Sequence, residues 1–214
     1  MKLYRSAGAC SLAVHVALEQ VGAAYEDVDV PLARGAQHEA AYRAVNPLAR
    51  VPALEVEGVD GRAGGVLTEV LAILLYLDQR FPQARLMPED ALERARLTSL
   101  MGYVGSTLHI AFAALWRPER FTDDATAAAA LKAFAPGAIE RAFDHVESRL
   151  PQDGLLGGDR LSAADAYLLP FWRWAWRLQM PLERWPRHGA LVRRLAAQPA
   201  VQRALAAEGL AMPS

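Results

Sequence analysis

The chain of 214 residues is 53% hydrophobic and 22% charged, and its 23 Lys and Arg against 24 Asp and Glu leave a net charge of -1. That length and apolar content can fill one large core or two small ones, and they argue against disorder. The even charge balance lacks the basic excess of a nucleic-acid binder, and the single cysteine excludes an intrachain disulfide framework or a multi-cysteine metal cluster.

The predicted elements begin with a short strand, Lys2 to Arg5, ended by the turn residues Ser6, Ala7 and Gly8. No long apolar core of the secretory kind occupies this end. Ser11 to Val21 reads as a helix, with Leu12, His15, Val16 and Glu19 at helical spacing and Gly22 as its stop. Tyr25 to Val30 alternates as a second strand, and the polar, Ala-rich stretch Gln37 to Ala44 is helical. A strand entered through a proline follows at Val51 to Val56, then a hairpin loop at Gly58 to Gly65 and a short strand at Val66-Leu67. Thr68 to Phe81 is a helix, with Thr68 as its cap. The order is βαβα followed by ββα, over residues 1–81.

Pro82 to Pro88 reads as a linker. Residues 89–214 are almost wholly helix-forming and are cut into segments by Pro118, Pro136, Pro151, Pro181, Pro186 and Pro199. Ser162-Ala-Ala-Asp165 has the form of a capping box, with Leu161 placed as a hydrophobic staple. Helices that follow a small α/β unit without further strands predict a separate all-α bundle. The longest strongly apolar run, Val70 to Leu77, is far short of the ~20 residues a membrane helix needs. With one free thiol suited to a reducing compartment, the expectation is a soluble cytoplasmic protein without a membrane or nucleic-acid partner.

Four features carry candidate chemistry. Cys10 stands where a strand turns into a helix, so the helix dipole and unpaired N–H groups favour its thiolate; a small buried hydrophobe is the competing reading. Val51-Pro52 is either a simple first-residue proline or a cis bond that turns the Val51 backbone toward an extended ligand. Thr68-Glu69 is either a cap with a dipole-favoured acid or a carboxylate beside helix-end N–H groups that grips both charges of an amino-acid moiety. His109 shares its helix face with Gly102, Gly105 and Ser106, where glycine costs up to about 1 kcal/mol each relative to Ala; close packing or a concave ligand wall would account for that. Phe171, Trp172, Trp174, Trp176 and Trp185 form an aromatic concentration, mostly core by their spacing. No His-x-x-x-His, Gly-x-Gly-x-x-Gly or Walker pattern is present, so no metal is expected.

Together these features resemble a bacterial glutathione S-transferase of the beta class, over nearly the whole chain. Met1 to Leu12 resembles that class's opening, with Cys10 at its characteristic cysteine. Asn46 to Leu54 is similar to the segment holding the family's cis-proline, and Leu67-Thr-Glu69 to its glutamate motif. Thr107-Leu-His109, Leu115-Trp-Arg-Pro118, Leu161 to Leu168 and Arg173-Trp-Ala175 resemble, in order, the second-domain histidine, its downstream turn, the folding capping box and a helix near the electrophile pocket.

The resemblance implies a thioredoxin-like N-terminal domain, an all-helical C-terminal domain and a homodimer. It implies glutathione as co-substrate, conjugated to a small hydrophobic electrophile or exchanged as a mixed disulfide with Cys10; a non-catalytic binding or regulatory protein is the alternative. By position, Cys10 and His109 would face the glutathione sulfur. Val51 would pair with the cysteinyl backbone beside cis Pro52, Glu69 would bind the γ-glutamyl ammonium, and the Val70 N–H its carboxylate. Arg34 falls near the position that reaches the glycine carboxylate, in a loop one residue shorter than the family's. Phe112, Trp116 and Trp174 would line the electrophile pocket. The chain departs from the pattern at Val70, where a small polar residue is usual, at Gly102 and Ile110, and in a longer hairpin from Glu57 to Gly65.

Overall fold

The structure is a computed structural model that describes residues 1–58 and 63–212. Four strands, β1 (Lys2–Arg5), β2 (Glu26–Asp29), β3 (Ala53–Val56) and β4 (Gly65–Thr68), form one sheet in the order β2-β1-β3-β4. β1 pairs with β2 in parallel and with β3 antiparallel, and β3 with β4 antiparallel. The parallel pair is joined by the crossover helix α1 (Leu12–Val21), as a parallel connection requires. Successive side chains of a strand point to opposite faces, and β1 shows it: Leu3 enters the main core, while Tyr4 packs on the other face with the small cluster of Val30, Tyr42 and Val51.

α2 (Ala40–Val45) is shorter than the expected Gln37 to Ala44 helix, because residues 36–38 wind as a 3-10 turn ending at Glu39. α3 (Val70–Arg80) begins two residues later than expected. Thr68 is the last residue of β4, not a cap; the cap position belongs to Glu69, at φ 68°. The expected hairpin between Gly58 and Gly65 falls largely on residues 59–62, outside the described residues.

The C-terminal half is helical: α4 (Ala91–Tyr103), α5 (His109–Trp116), α6 (Ala125–Arg149), α7 (Ala163–Arg177), α8 (Pro186–Ala196) and α9 (Pro199–Ala207). This is the thioredoxin-like sheet followed by a helical domain. α4 and α5 are continuous through a π-helical stretch at Val104–Leu108. The combined run Ala91–Trp116 is long and apolar enough to cross a membrane, yet half of its most apolar stretch is buried in this protein's own core. Pro136 does not divide the chain as expected but lies inside α6, at an exposed position where solvent can satisfy the carbonyl whose partner N–H the proline lacks.

α7 is buried from Ala163 to Ala175, the pattern of a helix enclosed on all sides. The capping box is formed: the Ser162 hydroxyl accepts from the Asp165 N–H at 3.2 Å, and the Asp165 carboxylate accepts from the Ser162 N–H at 2.8 Å. α1 packs against α7, α9 and α3, and its residues Leu12 to Leu18 are buried. The loop from Ser6 to Cys10 therefore emerges at the seam between sheet and helical domain.

Candidate active site

Cys10 lies in the turn before α1 and is only 7% exposed. Its S–H donates to the Val51 carbonyl at 3.4 Å, which ties the two segments that the sequence singled out separately. Burial and then the nearby Glu69 carboxylate push the thiol up to about 12, although the N–H groups of Cys10 and Ser11 and the Arg120 guanidinium pull the other way. The helix-end thiolate expected from sequence is thus reversed. Desolvation of the sulfur outweighs the dipole, because the thiol is turned inward.

Val51-Pro52 is a cis peptide, and both residues are buried. With the Val51 carbonyl engaged by Cys10, its N–H, which makes no backbone hydrogen bond among the described residues, is the group left for an extended ligand. The preceding segment is fixed through one oxygen. The Arg50 carbonyl accepts from the Tyr42 hydroxyl at 2.6 Å and from the Asn46 amide at 2.7 Å.

Glu69 is exposed and holds the left-handed φ that non-glycine residues adopt at a cost of roughly 1–3 kcal/mol. That backbone turn sets its carboxylate at the start of α3, beside free helix-end N–H groups. Val70 is 4% exposed, with its side chain in the main core. Its departure from the family pattern is therefore a packing choice; at this position only the N–H can meet a ligand. Arg34 is exposed, in the 3-10 turn Leu32–Arg34.

His109 is the first residue of α5, directly after the π-helical stretch, a feature often found at functional positions. Its ring lies 5.5 Å from Phe171 and 5.4 Å from Trp174. Burial, reinforced by Arg120 and Arg50, pushes it down to about 4, so the imidazole is neutral at physiological pH. The two glycines on this face separate in role. A Cβ at Gly105 would stand 3.2 Å from the Tyr167 hydroxyl, which is the packing reason, while one at Gly102 would meet nothing within 4 Å.

The aromatic residues are brought together, on different terms. Trp116 is 42% exposed and packs on Trp174 with ring centroids 5.1 Å apart. Phe112 is fully buried behind them, against Phe143 and Phe171, so it backs an apolar wall without facing a ligand. Trp174 donates its ring N–H to the Gly8 carbonyl at 2.8 Å, fastening the Cys10 loop to α7.

Sequence reasoning passed over Arg50, Arg120 and Tyr167. Arg120 acts on both Cys10 and His109, Arg50 acts on His109, and the buried Tyr167 phenol is raised by its burial and by Cys10 and Glu69. No linear signal separates such arginines from ordinary surface ones, since what marks them is the company they keep in space.

The chain matches the family model "Glutathione S-transferase, N-terminal domain" over residues 1–79 and "Glutathione S-transferase, C-terminal domain" over residues 66–197. It is 34% identical over 212 residues to glutathione S-transferase GstA of Escherichia coli O157:H7, covering 98% of this chain and 100% of that protein. It is 33% identical over 213 residues to a maleylacetoacetate isomerase of Pseudomonas aeruginosa, covering 95% of each. Among solved structures it is similar to a glutathione transferase homolog from Sulfitobacter with bound glutathione, at 30% identity and a TM-score of 0.89, covering 98% of each chain. The beta-class glutathione S-transferase of Sphingomonas chungbukensis is 37% identical, with a TM-score of 0.81, covering 99% of this chain and 100% of that one.

Proposed function

The chain belongs to the glutathione S-transferase family and is a glutathione transferase, and from that premise we propose that it conjugates small electrophiles through glutathione's own sulfur, with Cys10 remaining a neutral thiol. The observation that carries this reading is the inward S–H of Cys10, bonded to Val51 and pushed up to about 12. Such a thiol is a poor attacker near neutral pH, and a mixed disulfide through Cys10 would need its thiolate.

The tripeptide would lie along the cis-proline segment, with the Val51 N–H on its cysteinyl carbonyl. Glu69 would hold the γ-glutamyl ammonium, the Val70 N–H its carboxylate, and Arg34 the glycine carboxylate. Its sulfur would then sit between Cys10 and His109. A ring as weakly basic as His109 does not take the thiol proton outright. The neutral imidazole instead hydrogen-bonds the sulfur while the positive field of Arg120 and Arg50 favours the thiolate, and the proton leaves to solvent. The thiolate forms the bond to carbon and the leaving group departs with its electron pair. Trp116 and Trp174 offer the electrophile an apolar wall. In this reading residues 1–81 hold glutathione, 82–88 link, and 89–214 supply the electrophile side, in a cytoplasmic homodimer whose mass sedimentation equilibrium would measure.

The test is Cys10→Ala assayed for conjugation and for disulfide reduction. Conjugation retained within about threefold supports the reading, the change being that of one weak hydrogen bond. Loss of conjugation together with a detectable Cys10–glutathione adduct in the wild type would replace it with disulfide exchange.

A further inference from the structure

The segment that joins the sheet to the helical domain is not slack. Leu86 and Met87 are buried, and the backbone of each is fixed: the Met87 N–H donates to the Asp78 carboxylate at 2.9 Å, and the Leu86 carbonyl accepts from the Ala163 N–H of α7 at 2.9 Å. Asp78, on α3 and only 5% exposed, accepts with its other oxygen from the Arg94 guanidinium of α4 at 2.8 Å. Arg94 in turn donates its Nε–H to the Pro88 carbonyl at 3.1 Å. One carboxylate therefore joins α3, the connecting segment and α4. Taking a carboxylate out of water is costly even when it is paired, and an apolar pair of similar volume often serves stability as well. What the pair supplies is direction, because hydrogen-bond geometry admits far fewer arrangements than apolar packing.

The angle between the two helices matters because each is a lever with a site residue at its far end. α3 starts at Glu69 and Val70, roughly 12 Å from Asp78 at the helical rise, and α4 runs without a break through the π-helical stretch to His109, roughly 20 Å from Arg94. A tilt of about 5° at the junction would carry His109 by about 2 Å at that length, and misplacement by about 1 Å can slow a reaction about a hundredfold. On the glutathione reading above, on which this inference rests, the tripeptide is held by Arg34, Val51, Glu69 and Val70, ahead of the connecting segment, whereas His109 reaches its sulfur from beyond it. We propose that Asp78 is a positioning residue of the conjugation reaction: paired with Arg94, it fixes the angle of α4 on α3 and so sets His109 against the sulfur of glutathione anchored at Glu69.

Asp78→Asn, Arg94→Gln and the double variant test this. The Arg94 side chain is 37% exposed, so its replacement leaves no deep cavity, and Arg94→Gln carries the test where Asp78→Asn does not fold. Equilibrium dialysis gives the glutathione Kd, and 1-chloro-2,4-dinitrobenzene as electrophile gives kcat and KM. In that reaction the glutathione sulfur forms the new C–S bond, chloride leaves with the C–Cl pair, and the thiol proton passes to buffer. The ultraviolet thiolate band followed against pH gives the ionisation of bound glutathione. Each single variant should keep the Kd within about threefold while kcat falls about tenfold and the bound thiol titrates nearer to free glutathione, the signature of a displaced His109. Asp78→Glu, which keeps the charge, should recover part of the kcat. The double variant should lose no more than either single one, since both break the same contact. A lowered melting temperature with kcat and thiol titration unchanged would overturn the inference and leave Asp78 a purely structural residue. So would a raised glutathione Kd at unchanged kcat, or losses that multiply in the double variant. Binding of no glutathione by the wild type would overturn the functional reading and this inference with it; wild-type conjugation that the variants leave unaltered would overturn this inference alone.

Discussion

A buried sulfur beside a carboxylate titrates late, and that sets the chemistry of Cys10. Iodoacetamide should alkylate it slowly at pH 7, with a rate still rising above pH 10, whereas a plateau below pH 8 would show that the thiol turns outward in solution. The same shift links to stability. The folded-state value of about 12 lies above the ordinary 9.0, so the unfolded chain ionises first and folding stability falls as pH rises from about 9 toward 12. Denaturant midpoints of the wild type and Cys10→Ala over that range should diverge, with the wild type losing more. His109 shifts the other way, down to about 4, and is neutral throughout the physiological range. The pH profile of kcat/KM in the free enzyme should therefore show the glutathione thiol limb and no second limb from His109 between pH 5 and 8. A break near 6.5, the ordinary histidine value, would place the ring in water. At this scale the sequence disclosed positions but not states. Cys10 and His109 were legible as residues of interest, but the sign of each shift depends on how deeply neighbours from other elements bury them.

Among the elements, the start of α7 is held by several bonds at one side chain. The Asp165 carboxylate, fully buried, accepts from the N–H groups of Leu156, Gly157 and Ser162 and from the Ser162 hydroxyl, joining the loop 155–158 to the helix. Asp165→Ala should cost more than a simple cap, roughly 3 kcal/mol or above, because it leaves buried donors without a partner. Chemical denaturation would measure it, and a loss under 1 kcal/mol would reduce the motif to an ordinary cap. Val70→Ser tests the start of α3. With the Val70 side chain in the core, it should destabilise by about 1–3 kcal/mol without tightening glutathione in calorimetric titration. The capping box was readable because its signal is local, three residues apart. The limits of α3 and the continuity of α6 through Pro136 were not, since tertiary packing and an exposed carbonyl decide them.

At the scale of the whole molecule, the two ends of the chain meet at the Cys10 loop. The Glu208 carboxylate, past the end of α9, accepts from the Gly8 N–H at 2.8 Å and lies 2.8 Å from the ring of the buried His15 on α1. Trp174 holds the Gly8 carbonyl, Leu210 packs over Gly8, and Arg173 donates to the Ala211 carbonyl. Glu208→Ala should cost roughly 1–3 kcal/mol, since it leaves the Gly8 N–H and the buried His15 ring without their partner. It should also raise the glutathione KM by loosening the loop; stability lost with KM unchanged would confine the clasp to the fold. The order of strands and helices could be read from local patterning, but this closure could not, since nothing in the first fifteen residues announces a partner nearly two hundred positions away. The clasp also dates the site within synthesis. A ribosome makes residue 8 long before residue 208, so the thiol loop is held in its working shape only after residue 208 has emerged. A chain cut short of residue 208 lacks that hold on the sulfur site.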